Sequence, residues 1–592
     1  MHHMPHTDEI DGKIYDGRLI RRLLSYLKPH LFIFIFALLL LLIVSALELV
    51  EPYLVKIGID TYIKNSDYAG LHIICLIFLI ILLIKFLVHF LLNYFTQLMG
   101  QRVIKDIRMS LFKHVQSLSL SFFDRYPVGR LMTRIGNDVE VLNEMLSAGI
   151  LGIVSSSVTL IGIMFIMLWI DVRLTLVSFS ILPLVIWGSI IFRNNVRKAF
   201  RQIREKIAKL NSFMQENITG IKEVQLFGRE KDNLKRFADI NGHYRDSYLK
   251  AVFYYSLFFP FIEILASVTT ALIIWYGGFQ TLHGSLTIGV LVAFIEYMGK
   301  FFRPIRDLSE KYNLLQSTMA SAERIFTLMD THQTINLSDR SLPLTDLKNE
   351  IVFDHVWFAY EQERYVLRDV SFSLKKGENL AIVGATGAGK TSIINLIARF
   401  YNHQRGRILI DGKDIRDYNL KELRSGMAMV QQNVFLYSAS IMENITLGNT
   451  AISMDRIREI ANYINADSFI DKLPGKYEQV LTERGDMLSV GQKQLLAFAR
   501  ALAADPSLLI LDEATSNVDS ETEMLIQDAV RKLVRDRTSI IIAHRLSTIT
   551  NADQILVLNK GKVVEKGTHA SLLKQGGYYK KLYELLESNP HT

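Results

Sequence analysis

The sequence predicts an α-helical membrane domain fused to a water-soluble α/β domain. The chain has 592 residues, of which 49% are hydrophobic and 21% are charged, and its mean hydropathy of +0.20 is high for a soluble protein. The apolar residues are concentrated in the first half, whereas strand-like segments begin only near residue 350. The single cysteine, Cys75, excludes an intrachain disulfide framework and a cysteine-rich metal site.

Six apolar runs of membrane-spanning length occupy the first 302 residues. They are Leu31–Leu47, Leu71–Leu92, 148–170, 174–192, 251–276 and 286–302. Each run approaches the ~20 residues that an α-helix needs to cross a bilayer. Buried helices of a large soluble protein are the disfavoured alternative. We therefore expect six transmembrane helices.

The charges of the loops predict the orientation of these spans. Seven Lys or Arg residues lie in Gln101–Arg134 and seven in Arg193–Lys209, whereas the turn between spans 5 and 6 has none. Basic loops stay on the cytoplasmic side. The sequence therefore predicts a multi-pass protein of the cell inner (cytoplasmic) membrane, with its N-terminus and its soluble domain in the cytoplasm. The net charge of +8 is then a topology signal, and we expect no nucleic acid as a partner.

The two basic connections are predicted to be long helical extensions. Two arms of roughly 20 residues each would reach about 30 Å beyond the membrane. Phe123–Gly129 interrupts the first extension and Asn217–Gly220 the second, and the proline and glycines there suit a tight turn at each tip. We expect the tips to dock on the soluble domain, with a solvated hairpin as the alternative.

A change of composition near residue 330 predicts the domain boundaries. We assign residues 1–330 to the membrane domain, the polar stretch 331–349 to a linker and residues 350–592 to the soluble domain. The soluble domain opens with IVFDHVWFAY, which alternates as a strand does, and continues with a buried strand, a glycine-rich loop and a helix.

The sequence GATGAGKT at 384–391 fits the phosphate-binding pattern G-x-x-x-x-G-K-[ST]. Glycines let backbone N–H groups approach phosphate oxygens, and a helix N-terminus adds a favourable partial charge. Lys390 is predicted to contact the β- and γ-phosphates, and the Thr391 hydroxyl to ligate Mg²⁺. The predicted nucleotide-binding residues here are Gly384, Thr386, Gly387, Gly389, Lys390, Thr391 and Ser392.

A second candidate element for phosphate chemistry follows the apolar strand LLIL at 508–511. Asp512 comes at the end of that strand, where a carboxylate can hold the Mg²⁺ hydration shell. Glu513 is next and is suited to polarise the attacking water as a general base. An acidic pair after a strand is also common on ordinary surfaces, so this assignment depends on the phosphate-binding loop. Together the two elements predict ATP and Mg²⁺ as cofactors.

Further segments carry a resemblance to one family. TERGDMLSVGQKQLLAFARAL, LDEATSNVD and IIAHRLSTI occur in that order, and FFDRYPVGRLMTRI and ENITGIKEVQLFGRE are similar to coupling regions. With them the whole chain resembles the ATP-binding cassette (ABC) exporters. The resemblance implies a half-transporter with six transmembrane helices and long cytoplasmic extensions, fused to an α/β P-loop ABC-type nucleotide-binding domain. It also implies transport coupled to ATP hydrolysis, and a second ABC half-transporter as partner.

The resemblance implies roles for individual residues that match family motifs. Tyr360 would stack on adenine, although a strand tyrosine packed in the core is the alternative. Gln432 would connect Mg²⁺ and the lytic water with the membrane domain, its neighbour Gln431 being the less favoured match. His544 would contact the γ-phosphate, which makes Glu513, His544 and Gln432 the catalytic set. The residues implied in contacts across the dimer are Ser489, Gly491, Gln492 and Asp519.

One residue departs from the family pattern. Val490 stands where the usual LSGGQ signature has its first glycine. A β-branched side chain crowds a loop that must approach the γ-phosphate held by the opposite subunit. In heterodimeric bacterial exporters of this family, one subunit keeps the catalytic glutamate and has an altered signature. With Glu513 and Val490 the chain resembles that subunit, which implies a non-identical partner and one degenerate ATP site.

Ionisable residues within the spans are the candidates for substrate contact, because burial in lipid is costly. Glu263 and Glu296 lie deep in spans 5 and 6, where they would either line an acidic cavity for amphipathic cations or form helix–helix hydrogen bonds. Four others lie nearer to span ends, where side chains can snorkel: Glu48, Glu51, Lys85 and His89.

The leading hypothesis is ATP-driven export of hydrophobic or amphipathic small molecules of the multidrug type, in contact with membrane lipids. Export of lipid or lipid-like molecules is the close alternative. A membrane ABC ATPase that acts as a sensor or regulator is a further alternative.

Overall fold

The chain folds into two compact units. The computed structural model describes residues 17–331, 347–361, 364–512, 520–543 and 549–588. The first unit contains residues 17–116 and 128–331, and the second contains residues 117–127 together with the described residues from 347 onward. Most of the predicted linker, 332–346, lies outside the described residues. A short segment within the predicted membrane domain therefore belongs to the second unit.

The chain up to residue 331 is built from long helices and short helical connections. In chain order they are α1 (Gly17–Ser25), α2 (Leu31–Ile57), α3 (Tyr68–Ser117), α4 (Leu120–Arg125), α5 (Val128–Thr133), α6 (Val139–Glu144), α7 (Ile150–Ile170), α8 (Val172–Phe179), α9 (Leu182–Thr219), α10 (Ile221–Leu226), α11 (Glu230–Leu272), α12 (Gly278–Leu282) and α13 (Ile288–Met329). π-Helical turns continue these helices at Gly58–Ile63, Arg134–Asp138, Met145–Gly149 and Ile273–Gly277.

Five helical stretches among the described residues are long and apolar enough to cross a membrane. They are Lys28–Ile63, Tyr68–Ser117, Val128–Ile170, Val172–Thr219 and Glu230–Leu282. Predicted spans 1 to 5 lie within them, and the sixth falls at the start of α13. Most apolar side chains in the first half of α3 face outward, with Leu83 61% and Phe86 74% exposed. Such a surface is stable in lipid, so the predicted helical membrane domain is confirmed.

The fourth span differs in detail from its prediction as one helix over 174–192. α8 ends at Phe179 and a new helix, α9, begins at Leu182. Pro183 occupies the first turn of α9. Proline lacks the N–H that a continuing helix would need, but it is well tolerated in a first turn. The proline therefore accounts for the break.

The long extensions predicted beyond the membrane are present. α3 has 50 residues and α11 has 43, and at 1.5 Å per residue α3 alone is about 75 Å long. That length exceeds the ~30 Å hydrocarbon core of a bilayer. α9 ends at Thr219 beside Gly220, where the second tip was predicted.

The second unit contains two sheets among its described residues. The strands are β1 (Glu350–Ala359), β2 (Tyr365–Lys375), β3 (Asn379–Val383), β4 (Arg405–Ile410), β5 (Lys413–Asp414), β6 (Met427–Val430), β7 (Leu508–Asp512), β8 (Thr538–Ile542), β9 (Gln554–Asn559) and β10 (Lys562–Gly567). One sheet is antiparallel with the order β2-β1-β4-β5. The other has the order β10-β9-β3-β8-β7-β6, and every pair except β10–β9 is parallel.

Helices cover the parallel sheet. They are α14 (Lys390–Ile397), α15 (Leu420–Ser425), α16 (Ile441–Thr446), α17 (Met454–Tyr463), α18 (Asp467–Ile470), α19 (Val490–Ala503), α20 (Ser520–Val534), α21 (His569–Gln575) and α22 (Tyr578–Ser588). Successive residues of β3 enter different cores: Ile382 packs into one and Val383 into the other. Both faces of the sheet are therefore buried, which explains why its strands are continuously apolar in sequence.

Candidate functional site

The phosphate-binding loop joins β3 to α14, as the sequence predicts. A Cβ on Gly384 would overlap the main-chain oxygen of Leu558. Gly389 has a φ of +104°, and a Cβ there would lie 2.6 Å from Leu367 Cδ2. Both positions therefore require glycine. The other predicted loop residues, Thr386 and Gly387, are exposed at its tip.

Lys390 is buried at the start of α14. Its Nζ donates to the main-chain oxygen of Gly384 at 2.6 Å and lies 3.3 Å from that of Ala385. Burial lowers the pKa of Lys390, and the charge of Asp512 partly opposes that shift. A buried ammonium held by carbonyl dipoles can gain much from a nearby anion.

Asp512 and Thr391 supply oxygen atoms at the same end of the sheet. Asp512 closes β7, and burial raises the pKa of its carboxyl, with the charge of Lys390 acting in the opposite direction. Thr391 is exposed in the first turn of α14. Carboxylate and hydroxyl oxygens are ligands that Mg²⁺ prefers. Burial disfavours the charged form of the Asp512 carboxyl, and a divalent cation held by Asp512 and Thr391 would offset that cost.

Tyr360 follows β1 and is 38% exposed. Its hydroxyl lies 3.1 Å from Ser392 Oγ and accepts a hydrogen bond from Asn395 Nδ2 at 3.1 Å. Its ring meets Phe358 edge-on, with centroids 4.7 Å apart. Contacts from α14 thus hold the hydroxyl while part of the ring stays open. This exposure disfavours the core-packing alternative.

The loop that contains Val490 is organised as a helix start. Ser489 caps α19: its Oγ accepts from the N–H of Gln492 at 3.3 Å, and Gln492 Oε1 accepts from the N–H of Ser489 at 3.0 Å. Val490 is 53% exposed, so it meets no crowding within its own chain. A Cβ on Gly491, in contrast, would overlap Thr522 Cγ2. The second glycine of the signature is required inside the subunit, whereas the first position faces outward.

Glu513, Asp519 and His544 lie outside the described residues. Gln432 is exposed in the loop after β6, as is Gln431. The described part of the site thus brings together the loop 384–391, Asp512 and Tyr360.

The membrane unit contains a charge cluster at half-buried positions. Glu51, on α2, lies 2.6 Å from Lys85 Nζ of α3 and 2.5 Å from Lys300 Nζ of α13. Lys300 also donates to the main-chain oxygen of Glu48. Glu51 and Lys85, both predicted near span ends, therefore pair with each other. Lys300 had not been singled out, because a lysine near the end of an apolar run has no distinctive pattern.

The two predicted cavity acids have different surroundings. Glu296, on α13, is half-buried and lies within electrostatic reach of Lys300 and Glu51. Glu263, on α11, is exposed on the surface of the unit, next to Ile264 at 60% exposure. Only Glu296 therefore belongs to the charge cluster.

The first tip contacts the soluble domain. In α4, Phe122 is fully buried and stacks on Tyr126, with ring centroids 4.4 Å apart. The Tyr401 hydroxyl donates to the carboxylate of Asp124. Docking of this tip agrees with the expectation from the sequence, but Tyr401 was missed because nothing in its spacing separates it from other aromatic residues.

Comparisons with known proteins agree with this architecture. The model for the ABC transporter transmembrane region matches residues 34–305, and the model for the ABC transporter domain matches residues 367–516. The uncharacterized ABC transporter ATP-binding protein YknV of Bacillus subtilis is 39% identical over 585 residues, covering 97% of this chain and 95% of the relative. The chain belongs to the ABC exporter family.

Other ABC exporters align over nearly the same length. The ATP-dependent lipid A-core flippase of Syntrophus aciditrophicus is 36% identical and covers 96% of this chain and 94% of its own. The putative multidrug export ATP-binding/permease protein YgaD of Bacillus subtilis is 34% identical, and the alignment covers 96% of this chain and 100% of the relative. A solved structure of a bacterial Atm1-family ABC exporter with ATP bound superposes with a TM-score of 0.77 at 27% identity. The superposition covers 96% of this chain and 99% of the solved chain. This ABC exporter thus binds ATP and couples its hydrolysis to transport.

Proposed function

We propose that this ABC exporter moves hydrophobic or amphipathic compounds of the multidrug type across the cytoplasmic membrane, as one half of a heterodimer. The observation that carries the proposal is the arrangement of the phosphate-binding loop, in which Lys390 is buried and lies within electrostatic reach of Asp512. The same chain has valine at the first glycine position of its signature loop. One ATP site of the dimer would then be competent and the other degenerate.

The competent site would be built from this chain's own loop and the partner's signature loop. Lys390 would hold the β- and γ-phosphates, and the ring of Tyr360 would stack on adenine. Thr391 and Asp512 would hold Mg²⁺, which offsets phosphate charge when bound. Glu513 would take the proton of the attacking water, with Gln432 and His544 positioning the water and the γ-phosphate.

The degenerate site would use this chain's own signature loop. Ser489, Gly491 and Gln492 begin α19, whose N-terminus can face a phosphate bound by the partner subunit. Because Val490 is 53% exposed, its side chain would extend into that interface. Asp519 would contact the other site across the dimer.

A partner half-transporter is further supported by the second tip. Its apolar side chains are uncovered among the described residues: Ile218 is 68% exposed, Leu226 79% and Phe227 73%. In water, apolar residues clustered at a helical tip favour association with another surface. We infer that a second subunit covers them. The basic loops orient both tips and the soluble domain toward the cytoplasm.

The charge cluster supports a preference for cationic amphiphiles. Three carboxylates, those of Glu48, Glu51 and Glu296, lie near two ammonium groups, those of Lys85 and Lys300. The excess carboxylate would attract a positive headgroup in a low-dielectric setting. Lipid-like substrates are the second candidate, because relatives 36% identical to this chain are named lipid A-core flippases.

Transport by reconstituted protein tests the proposal. The chain would be tagged in its native host, and the half-transporter that co-purifies with it would be placed with it in proteoliposomes. ATP-dependent uptake of a lipophilic cation, but not of a neutral analogue of the same size, is expected. Flipping of a labelled lipid with no cation uptake would favour the second candidate. If a homodimer of this chain alone transports at the full rate, the proposal that the transporter is a heterodimer is wrong.

A further inference from the structure

An aromatic pair connects the proposed adenine position with the first tip. Tyr401 and Tyr360 meet edge-on, with ring centroids 4.9 Å apart and planes at 86°. Tyr401 also meets Phe358, which is almost fully buried, at 5.8 Å. Edge-to-face contacts of this kind favour one relative orientation of the rings. The orientation of Tyr401 is therefore linked to that of Tyr360.

The other end of Tyr401 holds the tip segment. Its hydroxyl donates to Asp124 in α4, which belongs to the same compact unit as the nucleotide-binding residues. Burial, together with this bond, raises the pKa of Tyr401, so the hydroxyl keeps its proton and stays a donor. A hydrogen bond to a charged acceptor is among the stronger ones in proteins.

The ring of Tyr360 is fixed at its far end as well. Ser392 and Asn395 of α14 hold its hydroxyl at 3.1 Å each. α14 begins at the phosphate-binding loop. A base stacked on Tyr360 would therefore restrict a ring that touches α14 on one side and Tyr401 on the other.

We propose that Tyr401 is a positioning residue that couples stacking of the nucleotide base on Tyr360 to the seating of segment 117–127 on the soluble domain. This inference rests on the proposed adenine role of Tyr360. Coupling between two binding events is reciprocal: base stacking favours the orientation in which Tyr401 reaches Asp124, and a seated segment favours base binding. The segment is flanked in the chain by α3 and α5.

The test compares two ligands on the full chain in lipid nanodiscs. Adenylyl-imidodiphosphate carries a base, and inorganic tripolyphosphate has only the phosphates. Hydrogen exchange of Leu120–Arg125 and the affinity for each ligand would be measured in the wild type, Tyr401→Phe and Asp124→Asn. Tyr401→Phe keeps the ring and removes only the hydroxyl, so it separates the hydrogen bond from ring packing.

Base-dependent effects are the expected result. The nucleotide should slow exchange of Leu120–Arg125 in the wild type, whereas tripolyphosphate should protect only the phosphate-binding loop. Tyr401→Phe should lose the protection of Leu120–Arg125 and bind the nucleotide about 5-fold more weakly. Asp124→Asn, whose amide oxygen still accepts a weaker bond from Tyr401, should lose part of that protection. Tripolyphosphate affinity should be unchanged in both variants. Unchanged tripolyphosphate affinity also shows that the variants are folded.

Two results would overturn the coupling. One is nucleotide-dependent protection of Leu120–Arg125 that persists in Tyr401→Phe. The other is equal protection of that segment by tripolyphosphate and nucleotide in the wild type. The variant Tyr360→Ala distinguishes failure of the coupling from failure of the proposed adenine site. If Tyr360→Ala leaves nucleotide affinity unchanged, the assignment of Tyr360 to adenine is itself wrong. If Tyr360→Ala weakens binding and Tyr401→Phe changes nothing, only the coupling fails.

Discussion

The ammonium of Lys390 lies 2.6 Å from the main-chain oxygen of Gly384, six residues earlier in the same loop. Carbonyl dipoles of the loop thus hold the lysine at the base of the proposed phosphate position. A triphosphate would offer the same ammonium full negative charges, which are stronger partners than dipoles. Burial of Lys390 makes that exchange sensitive to pH.

ATP affinity should fall at alkaline pH, earlier than for an ordinary lysine. Burial lowers the pKa of Lys390, whereas bound phosphates favour its charged form, so ATP binding and protonation are linked. Affinity should be level below the lowered pKa and decline above it by up to about tenfold per pH unit. Titration of a fluorescent ATP analogue at stepped pH measures this. Lys390→Arg stays charged and should have a flatter profile; equal profiles would contradict the prediction.

Glu513→Gln should stop turnover and leave ATP binding intact. Without a general base, hydrolysis should fall by at least about 10²-fold, whereas the groups that hold the phosphates are unchanged. Phosphate release and retention of labelled ATP would be measured on the same preparation. Hydrolysis at the wild-type rate would show that Glu513 is not the base.

Val490→Gly should increase ATP hydrolysis by the chain without its partner. In a homodimer, every ATP site would pair Glu513 of one subunit with a signature loop that carries valine. The substitution Val490→Gly removes that side chain, which is 53% exposed. We expect a several-fold rise in ATPase rate with little change in the melting temperature, since surface substitutions usually alter stability by within about 0.5 kcal/mol. Val564→Gly, at a valine 45% exposed, is the matched control. An unchanged rate would mean that Val490 does not impair the site.

Gly491→Ala should destabilise the soluble domain. The new Cβ would overlap Thr522 Cγ2, and overpacking of this kind typically costs about 1–3 kcal/mol. Thr522→Ser removes that methyl group and keeps the hydroxyl, so the double variant should regain most of the loss. Thermal unfolding of the full chain in detergent measures all three variants. If the double variant melts as early as Gly491→Ala, the clash with Thr522 is not the cause.

Glu51→Gln should lower the stability of the membrane domain. The change would leave the ammonium groups of Lys85 and Lys300 without the carboxylate that lies 2.6 and 2.5 Å from them. Removing one member of a fully buried ion pair costs about 3–5 kcal/mol, and the partial exposure of this cluster should bring the loss below that range. Glu263→Gln is the control, because that carboxylate is exposed, and its melting temperature should match the wild type. Equal melting of the two variants would mean that the cluster contributes no stability.

Much of the fold and part of the site follow from local sequence. A run of apolar residues long enough to cross a bilayer predicts a span wherever it occurs, so predicted spans 1 to 5 fall inside the helices described above. The phosphate-binding loop is equally local, since its glycines, Lys390 and Thr391 lie within eight consecutive residues. The break before Pro183 was missed because apolar composition hides a single proline.

The sequence by itself determined the two-part architecture, the membrane spans and the phosphate-binding loop, because neighbouring residues specify each of them. Only the tertiary structure decided which distant residues meet. Glu51 and Lys300 are 249 positions apart, and Asp124 and Tyr401 are 277 positions apart. Such pairs form only when helices and sheets pack. Local residue patterns do not reveal which distant residues then become neighbours. The outward position of Val490 and the packed position of Gly491 likewise depend on what lies across from them in space.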